Sequence, residues 1–234
     1  MRYKSEGIKV IASLLGEGGY RMARNVSDKS DTKHRIVAAT ISALQRSGLP
    51  PLSYDMVADE AGMTRQAVRY HFPDAEALML AVCDCLADAY RTALINNAAR
   101  LEGPQRVDMF LDFYFNLLDG TRKPKDDSAY DAMMSLATGS AAIRDNLRGQ
   151  YKIVGEVMSY EFRVSYPQLS PQAAEELSYL FVCLMYGHWK MVATLGVSVE
   201  HNRLTRAAVT RLIRSYCETG GSEDVVTQIW ASDG

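Results

Sequence analysis

Apolar residues recur every three or four positions along most of the 234-residue chain, a spacing that places them on one side of an α-helix. No run alternates strictly between apolar and polar residues, so no strand is predicted. Glycines, prolines and capping residues divide the pattern into helices at about 31–47, 53–61, 64–72, 74–96, 104–119, 126–139, 141–165, 170–195 and 200–219. We therefore predict an all-α fold.

Residues 53–72 have the features of a helix-turn-helix. Two helices can cross closely only where a small residue lies at the contact and the turn accepts a positive φ. Ala58 and Gly62 meet these two needs. The facing sides are apolar at Val57, Ala61, Met63 and Val68. The other side of the third helix then exposes Arg65, Gln66, Arg69 and Tyr70, of which arginine and glutamine can read guanine and adenine edges.

The segment from Ala61 to Leu78 reads AGMTRQAVRYHFPDAEAL and resembles the signature of the TetR family of repressors. The resemblance covers about residues 32–82; beyond Tyr90 only the helical pattern agrees. It implies that Ser53 and Thr64 cap their helices beside phosphates. It also implies that bases face Arg65, Gln66 and Ala67, and that the DNA backbone lies near Tyr70 and His71.

Two positions depart from the family pattern. Arg69 stands where the family commonly has a tyrosine that touches a phosphate, and the tyrosine is displaced to Tyr70. Arg69 can take over a phosphate or reach a base. Ala75 stands where the family commonly has a lysine, which removes one contact.

Charge and cysteine content agree with a local DNA contact inside the cell. The chain carries 26 Lys+Arg against 28 Asp+Glu, which argues against a nonspecific nucleic-acid coat or a polybasic membrane binder. The four cysteines are too few and too scattered for a secreted disulfide scaffold. The apolar stretches at 8–15 and 179–197 lack the features of a signal peptide and of a membrane span. We therefore predict a cytoplasmic protein with no membrane partner.

The second half of the chain predicts a pocket for a small-molecule effector. Its aromatic and methionine residues suggest an apolar to aromatic site, with the strongest candidates at Phe110, Tyr114, Met133, Met158 and Trp189. The same spacing is equally that of a plain hydrophobic core, so both interpretations stay open.

The last two helices each carry an apolar stripe, made of Leu177, Leu180, Phe181 and Leu184, then Leu204, Ala208, Leu212 and Ile213. The family resemblance implies that these residues form a four-helix dimer surface. The alternative is that the same stripes face the core of a single protomer.

The sequence contains no recognisable motif for nucleotide binding, metal binding or catalysis. Residues 16–19 read GEGG but lack the lysine and hydroxyl residue that complete a phosphate loop. The histidines show no metal-ligand spacing, and no nucleophile motif is present, so no cofactor and no metal are predicted.

The predicted organisation has four parts. An N-terminal extension covers 1–30, a helix-turn-helix domain 31–76, an effector-binding and dimerisation domain 77–220, and a tail 221–234. Residues 1–21 can equally be upstream sequence, since Met22 is an alternative initiator. The function predicted is that of a ligand-responsive repressor that binds palindromic double-stranded operator DNA as a homodimer. An activator or DNA-associated scaffold of the same fold, and a helical enzyme, are the alternatives.

Overall fold

In a computed structural model of the chain, the described residues are 28–47, 53–98, 101, 104–118, 127–221 and 229–230. Within these ranges the chain forms nine helices and no strand, which confirms the all-α prediction. The helices are α1 Asp28–Ser47, α2 Tyr54–Ala61, α3 Arg65–His71, α4 Ala75–Ala98, α5 Pro104–Tyr114, α6 Asp127–Ala137, α7 Ala141–Ser165, α8 Pro171–Trp189 and α9 His201–Thr219. Most of the predicted N-terminal extension lies outside the described residues.

The first helix boundaries follow from local side-chain chemistry. Ser53, Thr64 and Asp74 each accept a hydrogen bond from a backbone N–H two or three residues later, at 3.2, 3.2 and 2.7 Å. Gly62 ends α2 with φ 62° and ψ 41°, a left-handed conformation that costs glycine little. The predicted caps and turn of the helix-turn-helix are thereby confirmed.

Three boundaries differ from their predictions by three residues or more: α1 begins at Asp28 and not at 31, α8 ends at Trp189 and not at 195, and α5 also ends early. Helix α5 was expected to reach about residue 119 but ends at Tyr114. Asn116 adopts φ 55°, and the N–H of Leu117 donates to the carbonyl of Asp112 at 2.7 Å. A bond from an N–H to the carbonyl five residues earlier, around a left-handed residue, is a common way to end a helix.

Described residues within Gly18–Tyr90 and Pro124–Gln150 form one compact unit, here called the helix-turn-helix unit. It contains α1 to α3, the first part of α4, α6 and the first part of α7. Its buried cluster combines residues from all of these helices: Ile36, Val37, Leu44, Val57, Ala58, Val68, Phe72, Leu78, Met79, Val82, Cys83, Leu86, Ala129, Ala132, Met133, Ile143 and Leu147. Residues 127–150 therefore pack with the helix-turn-helix although they lie far from it in sequence.

Polar side chains also join α4 to α6–α7 inside this unit. The Ser140 hydroxyl donates to the Glu76 carboxylate at 2.5 Å, and the Asn146 amide donates to Asp84 at 2.9 Å. Gln150 donates to a backbone carbonyl of α4 at 3.2 Å. The helix that directly follows α3 is therefore held by both apolar and polar contacts.

Described residues within Arg91–Lys123 and Tyr151–Gly234 form the second unit. Its interior is rich in fully buried rings, contributed by Phe110, Phe113, Phe115, Phe162 and Phe181. A single-turn π-helix, Lys190–Thr194, continues α8. Among the described residues, no helix is long and apolar enough to cross a membrane.

The C-terminal Trp230 packs on helices of this second unit. Its indole N–H donates to the Ser178 hydroxyl at 3.0 Å, and its ring meets Tyr179 edge-on with centroids 5.6 Å apart. It also lies against Gly155, where an added Cβ would come within 1.9 Å of the indole. Glycine at position 155 is what allows this close approach.

The predicted division of the chain into an extension, two domains and a tail stays a prediction.

Candidate nucleic-acid interface

The exposed face of α3 is built on one buried anchor. Val68 is fully buried in the core of the helix-turn-helix unit, which turns the opposite side of this short helix outward. Arg65, Gln66, Arg69 and Tyr70 are exposed and line one open depression on the surface. Tyr70 is 69% exposed, an unusual state for so large an aromatic ring. The arrangement offers two guanidinium groups, an amide and a phenol to a partner outside the chain.

Asp55, in the first turn of α2, forms an ion pair with Arg65. Its carboxylate lies 3.3 Å from Nη1 of Arg65, and both side chains are more than half exposed. An exposed ion pair of this kind contributes little to stability, but it restricts the directions in which Arg65 can point. Asp55 cannot be recognised from the sequence, because the local pattern does not show which residue of α2 will face α3.

Tyr54 supports the other cation. The guanidinium of Arg69 lies over the Tyr54 ring, 5.9 Å from its centroid, and the Tyr54 hydroxyl donates to the Phe72 carbonyl at 2.9 Å. Burial and the nearby Asp74 raise the pKa of Tyr54, while Arg69 opposes the rise. The phenol therefore stays protonated and can keep donating to the end of α3.

Helix α1 supports the turn from behind. The Arg35 side chain donates to the Ala61 carbonyl at the end of α2, at 3.2 Å. Arg46 forms an ion pair with Glu60, and the Lys33 ammonium lies 5.8 Å from the centroid of the Phe72 ring. These contacts fix the position of α2 and α3 relative to α1.

The remaining predicted DNA contacts sit on the same surface. Ser53 and Thr64 accept from backbone N–H groups as caps, so each hydroxyl proton is still available to donate to a phosphate. Ala67 and His71 are half-buried, and the His71 ring meets Tyr70 edge-on with centroids 5.2 Å apart. The contacts of all eight predicted residues with DNA stay predictions.

Comparison with known proteins identifies the group to which this arrangement belongs. Residues 36–82, which contain α2, α3 and most of α1, match the family model described as bacterial regulatory proteins of the tetR family. Residues 36–82 therefore form a DNA-binding domain of the TetR family of transcriptional regulators. The proteins of this family are transcription regulators and not enzymes. The match assigns α2 and α3 to the DNA-binding helix-turn-helix of that family.

Solved structures share the fold over most of the chain. A TetR transcription regulator from Haloarcula marismortui is 20% identical with a TM-score of 0.70, covering 80% of this chain and 98% of the other. A regulator from Saccharomonospora viridis, solved in complex with choline, is 19% identical with a TM-score of 0.65, covering 79% and 96%. The multidrug binding protein EbrR, complexed with imidazole, is 20% identical with a TM-score of 0.59, covering 78% and 89%.

The five predicted effector residues fall in different units. Phe110, Tyr114, Met158 and Trp189 belong to the second unit, and the first three of them are buried. Met133 is fully buried in the core of the helix-turn-helix unit. Binding of an effector by any of these five residues stays a prediction.

Two of the four predicted effector residues in the second unit are joined by a hydrogen bond. The Trp189 indole N–H donates to the Tyr114 carbonyl at 2.9 Å. Burial raises the pKa of Tyr114 well above its usual value, so the phenol is neutral. Among the described residues, no three His, Cys, Asp or Glu side chains converge as metal ligands would.

The apolar stripes of α8 and α9 divide between the protomer core and its surface. Leu177, Phe181 and Ile213 are buried within the chain, whereas Leu204 is 57% exposed. The other four stripe residues are half-buried: Leu180, Leu184, Ala208 and Leu212. The exposed positions of α8 recur at four-residue spacing and include Tyr179, Cys183 and Gly187.

Proposed function

We propose that this protein is a ligand-responsive repressor that binds a palindromic operator as a homodimer in the cytoplasm. The observation that carries the proposal is the exposed face of α3, where Arg65, Gln66, Arg69 and Tyr70 project together from a capped and anchored helix. A reducing compartment agrees with four free cysteines.

Sequence reading is assigned to the amino end of α3. Arg65 and Gln66 lie in its first turn, the part of a recognition helix that contacts base edges in the major groove. Arg69 and Tyr70 lie one turn later, where contacts with phosphates position the helix. Ser53, Thr64 and His71 lie at the ends of α2 and α3 and add contacts with the DNA backbone.

Substitutions of Gln66 and Tyr70 should distinguish a residue that recognises bases from one that contacts the DNA backbone. Gln66→Ala is expected to relax base preference by about 1–3 kcal/mol at one position per half-site, because its amide can pair with an adenine edge. Tyr70→Phe removes only a hydroxyl and should weaken all sites alike. Binding to a library of single-base operator variants measures both effects. An unchanged sequence preference in Gln66→Ala would show that this residue does not read bases.

Dimerisation follows from the size of the recognition surface. One α3 spans a few base pairs, whereas two copies related by a two-fold axis read a palindrome with half-sites about one helical turn apart. The outer faces of α8 and α9 supply apolar surface for this contact through Tyr179, Cys183 and Leu204. Tyr179 and Leu204 are 47% and 57% exposed in the single chain.

Charges placed on this surface should separate the protomers. The double variant Tyr179→Arg/Leu204→Arg is expected to be monomeric by light scattering at micromolar concentration, since four arginines would have to be buried in the contact. Val164→Arg is the control, because Val164 is 46% exposed but lies on α7 and belongs to neither apolar stripe. A double variant that stays dimeric would place the dimer surface elsewhere.

The coupling between effector and DNA is assigned to α4. It begins at Ala75, directly after the residues that end α3, and its last residues, 91–98, belong to the second unit. An effector bound in the second unit near Phe110, Tyr114, Met158 and Trp189 can change the position of this helix. A coupling of about 1–3 kcal/mol would lower operator affinity by about 5- to 150-fold. The choline and imidazole complexes of similar structures support a small-molecule ligand for this domain.

Selection of genomic DNA fragments by the purified protein tests the proposal. Enrichment of one palindromic sequence that overlaps a promoter is expected, followed by release of that sequence in the presence of the effector. An operator upstream of the promoter would instead indicate an activator. No sequence-selective enrichment at low and moderate salt would contradict a role in transcription regulation.

A further inference from the structure

The second unit contains a buried ion pair that the proposed DNA contacts do not use. Arg106 on α5 and Glu161 on α7 are joined by a hydrogen bond of 2.5 Å between Nη2 and Oε1. Their side chains are 7% and 0% exposed. Burial of two charges is costly, and it is normally offset by bonds to all of their polar atoms. Here that condition is only partly met.

Three polar atoms beside this contact have no hydrogen-bond partner within the described part of the chain. They are Nε of Arg106, Oε2 of Glu161 and Oγ of Ser165, which follows Glu161 by one turn of α7. More than nine in ten buried polar groups in proteins are satisfied, so three such atoms on two linked residues and their helical neighbour are unusual. Arginine and carboxylate often pair through two parallel bonds. This pair forms one and leaves a donor and an acceptor unused.

We propose that Arg106, Glu161 and Ser165 are the polar anchor of the effector site, and that they bind a neutral group in which an N–H or O–H donor adjoins a carbonyl oxygen, as in a primary amide. This inference rests on the proposed ligand-responsive function. The ligand carbonyl accepts from Nε of Arg106, and the ligand N–H donates to Oε2 of Glu161. Ser165 can donate to or accept from the same group.

The charges of the anchor decide the charge of the ligand. Arg106 and Glu161 neutralise each other, so a carboxylate or an ammonium would bring an uncompensated charge into a buried place. An amide satisfies one donor and one acceptor without adding charge. The anchor therefore favours neutral over charged molecules of the same shape.

The neighbouring residues fit an aromatic body for the ligand. Phe110 lies four residues after Arg106 on α5, and Met158 and Phe162 precede and follow Glu161 on α7. All three are at most 1% exposed. Phe110 and Met158 are also residues that the sequence pattern assigned to the effector pocket. An apolar ring that carries an amide combines the two kinds of surface.

Benzamide is a suitable probe, with benzoate, benzylamine and toluene as controls of nearly the same shape. Benzamide is expected to raise the melting temperature of the full chain in a concentration-dependent way and to bind measurably by calorimetry. The two charged compounds should not bind, and toluene should bind more weakly than benzamide. Equal effects of benzamide and toluene, or no effect of benzamide, would overturn the anchor.

Variants locate the binding. Ser165→Ala should weaken benzamide binding by about 3- to 10-fold, the worth of one neutral hydrogen bond. Ser159→Ala is the control, because it removes a similarly buried hydroxyl from the same helix, and it should leave binding unchanged. Arg106→Met/Glu161→Leu replaces the pair with apolar residues of similar volume, is expected to stay helical by circular dichroism, and should lose the preference for benzamide over toluene. Retained preference in the folded double variant would overturn the proposal.

The outcome is separable from that of the proposed function. Operator selection by the protein without any ligand tests the regulator and does not involve Arg106 or Glu161. If an operator is found and its natural effector binds the double variant as tightly as the wild type, the anchor is wrong and the regulator stands. If no operator is found but benzamide binds as described, the anchor stands as a ligand site and the regulator does not.

Discussion

Replacing Glu161 with alanine should lower the free energy of unfolding by about 3–5 kcal/mol. The substitution leaves the Arg106 guanidinium buried without its partner, and its side chain is only 7% exposed. Burial raises the pKa of Glu161, and the charge and hydrogen bond of Arg106 oppose the rise. Urea unfolding followed by circular dichroism measures the effect.

A double replacement distinguishes two causes of lost stability, an unpaired buried charge and the loss of side-chain packing. Arg106→Met/Glu161→Leu removes both charges and keeps most of the volume, so it should be about as stable as the wild type or more stable. If Glu161→Ala and the double variant lost equal stability, packing and not electrostatics would explain the loss. If neither lost any, the pair would not be buried in solution.

Met133→Ala should cost about 2–5 kcal/mol of stability and, with it, operator binding at temperatures near the melting point. Met133 is fully buried in the core cluster of the helix-turn-helix unit, so its loss leaves a cavity in that core. Thermal unfolding and operator affinity by fluorescence anisotropy measure the two effects.

Leu136→Ala is the matched control for this substitution. Leu136 lies on the same helix but is 40% exposed, so its change should stay within about 0.5 kcal/mol. A Met133→Ala protein with normal stability and a changed effector response would support the ligand-binding role that the sequence pattern assigned to Met133. A loss of stability without a change in effector affinity would assign it to the core.

Local features of this chain could be predicted from the sequence, and long-range partners could not. The caps at Ser53, Thr64 and Asp74 act over two or three residues, so the sequence contains all that they need. Helical periodicity placed Met133 on an apolar face. Which unit that face packs against depends on contacts between residues 127–150 and 28–90, and the period does not contain this information.

The candidate site shows the same division. The exposed residues of α3 were predicted from the face opposite Val68 and from the family resemblance. Asp55 and Tyr54 were missed, because their roles depend on the angle at which α2 crosses α3. The ion pair of Arg106 and Glu161 joins positions 55 residues apart, and only the packing of α5 against α7 brings them together.

The location of the tryptophans allows the second unit to be followed separately by fluorescence. The chain has two tryptophans, Trp189 and Trp230, and both belong to the second unit. Indole emission therefore follows this unit alone, whereas far-ultraviolet ellipticity sums over the helices of both. Two melting curves recorded on one sample would show whether the units lose structure together. Because Trp230 packs against Gly155 and Ser178, the wavelength of its emission maximum also reports whether Trp230 is packed on the helices.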